Sequence, residues 1–190
     1  MSMTTDKYRI ASALCLSRVI IAIIEASNLF SVLNNNMIQL IIDVYTLAIS
    51  FYVLLLLQKV LSTNFNCTKA NVTVILILIF ATMLFIFKQR ILPSDGLLKH
   101  LLTFNILALP VAQFYFALIL LKLKNKGSRI LHYYAILLMI KSPTFLIVLY
   151  TMKAIFLLTS LNIACDLMLA TFFYLLDHDT ARISFNDITK

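Results

Sequence analysis

Glycine is almost absent from this chain of 190 residues: Gly96 and Gly127 stand alone, beside three prolines and no tryptophan. Two distant glycines exclude a glycine-rich phosphate loop and a G-x-x-x-G packing motif, so close helix contacts fall to Ala and Ser. Charge is scarce as well. Asp, Glu, Lys and Arg make up 13% of the chain against 62% hydrophobic residues, where a soluble domain carries about 25% charged residues. Cysteine is limited to Cys15, Cys67 and Cys165, with no C-x-x-C pair and no metal-ligand spacing, and Cys15 and Cys165 read as small buried residues. An H-E-x-x-H helix and a G-x-S-x-G elbow are both missing, which makes an intramembrane enzyme the least supported class and leaves no cofactor or metal to expect.

What the sequence has in abundance is apolar length. Runs of about 18 or more apolar residues recur along nearly the whole chain, each able to cross a hydrocarbon core of about 30 Å as a helix. The runs are continuous rather than alternating, which disfavours a β-barrel. The fold class is therefore all-α: a polytopic integral membrane protein, a bundle of about six transmembrane helices with no soluble domain. The spans are read at about 8–33, 37–57, 71–87, 99–121, 130–150 and 154–176, followed by a polar, solvated tail over 177–190. Turn chemistry separates them: Asn34-Asn35-Asn36, Pro93-Ser94-Asp95-Gly96 and Asn125-Lys126-Gly127-Ser128. Between the fifth and sixth spans little more than Thr151, Met152 and Lys153 remains, so a tight hairpin is expected there.

Lys7 and Arg9 before the first run superficially resemble a signal peptide, but the run is too long for an h-region and has no clear cleavage site. Orientation follows from the basic residues. With the N-terminus in the cytoplasm, that side holds Lys7, Arg9, Lys59, Lys69, Lys122, Lys124, Lys126, Arg129, Arg182 and Lys190, against Lys88, Arg90, Lys99 and Lys153 outside. The bias places both termini in the cytoplasm, in an inner or plasma membrane. It also accounts for the net charge of +8 without nucleic acid as a partner. Tyr8, Tyr133, Tyr134, Tyr150 and Tyr174 fall near span ends, where an amphipathic ring suits the interface. On this topology the triplets Asn66-Cys67-Thr68 and Asn71-Val72-Thr73 face the cytoplasm and stay unglycosylated.

Five charged residues interrupt the spans: Arg18, Glu25, Asp43, Lys141 and Asp166. Each costs about 2.5 to 3.5 kcal/mol at a helix centre, so none is expected to face lipid. Helical spacing supports inward faces. Ala11, Cys15, Arg18, Ala22 and Glu25 share one side of the first span; Gln39, Asp43, Thr46 and Ser50 share one side of the second; Thr159, Asn162 and Asp166 share one side of the sixth. The fourth span adds Asn105 and Gln113 around Pro110, and the fifth places Lys141 before Ser142-Pro143. The third span has no polar stripe and is expected at the periphery. Arg18 is expected to lean toward the cytoplasm and Asp43 toward outer water, whereas Glu25 leans toward the membrane centre and is the foremost candidate. Lys141 and Asp166 lie at similar depth beside the hairpin and are expected to pair.

Three function classes follow. The favoured one is a transporter or channel in which Arg18, Glu25, Asp43, Asn105, Gln113, Lys141, Asn162 and Asp166 line a path for ions, protons or a small solute. The second is a non-catalytic accessory, immunity or exclusion-type protein that binds another membrane protein or a second copy of itself through its helices. The intramembrane enzyme is third.

Overall fold

The computed structural model describes residues 3–27, 36–88, 97–123, 129–151 and 155–188. Six helices account for nearly all of them: α1 Met3–Ala26, α2 Asn36–Asn64, α3 Lys69–Lys88, α4 Leu97–Leu121, α5 Arg129–Thr151 and α6 Ile155–Ile188. Five of these, α2 to α6, are long and apolar enough to cross a membrane, and no strand occurs among the described residues. The chain is a multi-pass helical membrane protein. The exception is α1, whose 24 residues hold Asp6, Lys7, Arg9, Arg18 and Glu25.

Each helix packs against its neighbours in sequence, and α6 returns to α1, so the six close into a ring. The α1–α6 seam is the most extensive contact and α1–α2 the least. Small side chains explain the first: Ala11 and Cys15 are fully buried, so the backbones approach closely enough for the Ser12 hydroxyl to donate to the Ala170 carbonyl at 3.0 Å. Such an interhelical hydrogen bond contributes about 0.6 kcal/mol on average in a membrane. Tyr8 stacks on Phe173 at one end of the same seam and Arg18 meets Asp166 further along, which makes the two helices antiparallel. The α1–α2 seam is polar instead, with Tyr52 reaching the Lys7 carbonyl, Ser17 bonded to Tyr45, and Gln39 donating to Glu25.

Burial is uneven along the ring axis. Fully buried apolar side chains gather at the end that holds the start of α1: Leu57 and Leu61 of α2, Val74 of α3, Phe116 and Leu120 of α4, Leu131 of α5, Phe173 of α6. The opposite halves of α1, α2 and α6, around Ile20, Met37 and Phe156, are largely exposed.

Several boundaries differ from the sequence reading. The first helix ends at Ala26, with Ser27 in a turn, rather than running to position 33; residues 28–35 lie outside the described residues. The second extends to Asn64, because nothing between Gln58 and Asn64 breaks a helix. It closes where Asn66 takes φ 50° and the Cys67 N–H bonds the Leu61 carbonyl; Asn is among the few residues that tolerate this left-handed region. Past the expected span end at 176, α6 continues as a helix to Ile188 through a stretch free of Gly and Pro, while its membrane-length apolar part reaches His178. The third span is not peripheral. It takes its place in the ring, and Val74, Ile77 and Leu78 are buried; an inner wall needs shape and not polarity. The hairpin expected between α5 and α6 falls on 152–154, which lie outside the described residues.

Candidate functional site

At mid-height, just above the packed end, the ring encloses a cavity of about 120 Å³ to which all six helices contribute. Its two sides differ. Arg18 of α1, Lys141 of α5, and Asn162 and Asp166 of α6 form a polar side, while Val53 and Leu54 of α2, Ile77 and Ala81 of α3 and Phe116 of α4 form an apolar one. Gln113 of α4 and Tyr134 of α5 also line the cavity, together with Ser50, Leu138, Cys165 and Leu169.

Asp166 is the anchor of the polar wall. Its side chain is 8% exposed, and Arg18 Nη2 lies 3.4 Å from Oδ2. That is longer than the 2.7–2.9 Å or so of a tight charge-assisted bond. Arg18 therefore turns inward to α6 and does not snorkel toward the cytoplasm, and its Nε is buried with no hydrogen-bond partner among the described residues. The expected Lys141–Asp166 pair does not form at contact distance. Among the described residues Lys141 has no ion pair and no hydrogen bond, although it shares the cavity with Asp166 and interacts with it electrostatically. The reason is ring closure. α6 has a neighbour on either side, and the small residues of α1 bring Arg18 nearer than the α5 side brings Lys141.

Five of the eight sequence-predicted residues, Arg18, Gln113, Lys141, Asn162 and Asp166, line this cavity, and three do not. Glu25 is exposed in the last turn of α1, where it accepts from Gln39 Nε2 at 3.3 Å; the same amide bonds Asp43 Oδ1 at 3.3 Å. These two carboxylates belong to a polar cluster at the α1–α2 end of the ring, away from the cavity. Asn105 is buried, but its Nδ2 donates to the Phe80 carbonyl at 2.9 Å and ties α4 to α3.

Tyr134 was hidden by its position near a span end, where the sequence suggests an interfacial ring. It is 5% exposed and lines the cavity, while Tyr133 faces outward. Spacing carries the signal that finds it: Tyr134, Leu138 and Lys141 follow steps of four and three on one face of α5. The Tyr134 hydroxyl and the Gln113 and Asn162 amides have no hydrogen-bond partner among the described residues. With these unpaired polar groups open to it, the cavity suits water or a polar solute. A larger depression of about 740 Å³ lies between α3 and α4, but it is apolar and opens outward beside Phe104, Val111 and Tyr115, where acyl chains would lie.

Comparison with family models, with curated proteins and with solved structures returns no match to this chain.

Proposed function

We propose that this protein is a small membrane transporter or channel, with the central cavity as its solute or ion site. One observation carries the reading: charged side chains from three helices converge at mid-height in a cavity walled by all six. Ionisable groups inside a membrane are costly and mark solute or ion pathways. Secondary transporters likewise bind near the bilayer midplane, between helices.

On this reading α1 is a sixth span despite its charges. Its 24 residues rise about 36 Å, and it lies antiparallel along α6 from Tyr8 to Arg18. Both termini then share a face, the cytoplasmic one by the distribution of Lys and Arg. The packed layer of Leu57, Leu120, Leu131 and Phe173 closes the cavity toward that face. Passage requires these side chains to part, and the polar, sparsely packed α1–α2 seam offers the least resistance to such a motion.

Vesicles reconstituted with the full chain test this. Radiolabelled or fluorescent tracers for protons, monovalent cations, monovalent anions and small neutral solutes should reveal at least one flux above protein-free vesicles. Asp166→Asn should reduce that flux at least about tenfold while membrane insertion persists. No flux of any tracer, with correctly inserted protein, rejects the reading.

A further inference from the structure

We infer that the solute is a short aliphatic monocarboxylate, bound with its carboxylate at Lys141 and its alkyl part against the apolar wall. The inference rests on the reading of the cavity as a solute site and adds the chemistry of the solute.

Charge decides the sign. Arg18 and Asp166 already neutralise one another, and Lys141 has no ion pair among the described residues, so the cavity carries one uncompensated cation. Lys141 is half-buried, and a charge inside a membrane is costly without a partner, which a bound monoanion supplies. A cationic solute would meet Arg18 and Lys141 together and would have to compete with Arg18 for Asp166. A neutral solute would leave the ammonium uncompensated.

Donors decide the group. The Lys141 ammonium, the Gln113 and Asn162 amides and the Tyr134 hydroxyl all offer hydrogens, and none is engaged by another described residue. Two carboxylate oxygens accept about four such bonds. Across from them Val53, Ile77 and Phe116 present hydrocarbon only, which suits a solute with an apolar end better than it suits chloride or nitrate.

Volume decides the size. An apolar cavity of about 150 Å³ takes up benzene, so about 120 Å³ accommodates up to about six non-hydrogen atoms. Acetate, propionate and butyrate fall within that limit; benzoate exceeds it.

The test is thermal unfolding of the purified full chain in detergent, titrated with acetate, butyrate, benzoate, nitrate and methylammonium at constant ionic strength. Acetate and butyrate should raise the midpoint by a few degrees once they reach about 100 times Kd, since a ligand that binds only the folded state stabilises by mass action. Benzoate, nitrate and methylammonium should leave it unchanged. Lys141→Gln should abolish the acetate response while keeping a midpoint at or above that of the native chain, because it removes an unpaired cation from inside the membrane. Gln113→Leu, which deletes one donor, should weaken acetate binding by roughly fivefold. Stabilisation by methylammonium or nitrate with none by acetate overturns the inference but leaves a solute-binding cavity standing. An undiminished acetate response in a folded Lys141→Gln chain overturns the role of Lys141. No response to any of the five, together with no flux in vesicles, removes both the inference and the transport reading beneath it.

Discussion

The Arg18 guanidinium and the Asp166 carboxylate meet at 3.4 Å across the seam between α1 and α6, while Lys141 faces the same cavity without joining them. The cavity thus holds two cations and one anion, of which one cation is paired, and the three single neutralisations are unequal. Asp166→Asn leaves two cations facing each other and should cost on the order of 3 to 5 kcal/mol, as breaking a buried pair does. Arg18→Leu leaves one cation and one anion in the cavity, so Lys141 can take over part of the role of Arg18 and the loss should be smaller. Lys141→Gln should be neutral or stabilising. Unfolding midpoints in one detergent rank the three, and a native-like Asp166→Asn chain would contradict the arrangement.

Glu25 is predicted to be dispensable. It is exposed at the end of α1 and shares the Gln39 amide with Asp43. Exposed polar contacts of this kind contribute about 0 to 1 kcal/mol. Glu25→Gln keeps a partner for Gln39 through its remaining carbonyl, so stability and flux should both stay close to native. A loss of flux comparable to that of Asp166→Asn would place Glu25 on the solute path after all.

That Glu25 lies away from the cavity has a physical cause. Leu29, Phe30, Val32 and Leu33 prolong the first apolar run past Ala26, so hydropathy alone cannot see that the helix ends one residue after Glu25. Apolar length marked α2 to α6, because bilayer thickness constrains a span and the turn residues between them are polar, whereas the charges of α1 keep it below that mark. Of the small and polar stripes on α1 and α6, Ala11, Cys15 and Asp166 are buried, Arg18, Ala22, Thr159 and Asn162 are half-buried, and Glu25 is exposed. Pairing was harder. The partner of Asp166 depends on which helices flank α6 once the ring closes, and no periodicity within one helix encodes that. Isolated polar residues were ambiguous for the same reason. Asn105 and Gln113 sit eight apart on α4, yet the first serves a neighbouring backbone and the second lines the cavity.

That difference yields a prediction on α4. Asn105 is 4% exposed and its amide bonds the Phe80 carbonyl, next to an edge-on contact between Phe80 and Phe104. Asn105→Leu removes the hydrogen bond, keeps the branched shape and the number of side-chain heavy atoms, and matches the apolar surroundings. It should destabilise the chain by about 0.6 to 1.7 kcal/mol, the range for interhelical hydrogen bonds in membranes, and leave acetate binding untouched. If acetate binding falls in a folded Asn105→Leu chain, the α3–α4 contact and the cavity are coupled.

The three thiols report on whether the cavity exchanges with water. Cys67 is half-buried in the α2–α3 connection, whereas Cys15 is fully buried and Cys165 is 5% exposed. Cys15 is shut into the α1–α6 seam, but Cys165 stands on the cavity wall beside Asp166. In the Cys67→Ser chain, methyl methanethiosulfonate is small enough for a cavity that takes about six non-hydrogen atoms and should modify Cys165 slowly. N-ethylmaleimide is larger and should not. Cys15 should resist both reagents until the chain is unfolded, since reaching it requires α1 to leave α6. Acetate at saturation should slow the modification of Cys165, because the two would occupy the same space. Intact-mass measurement with peptide mapping distinguishes the sites. Equal rates at Cys15 and Cys165 would mean that reagent enters by separating α1 from α6, and the ring would then be a looser assembly than its buried seam implies.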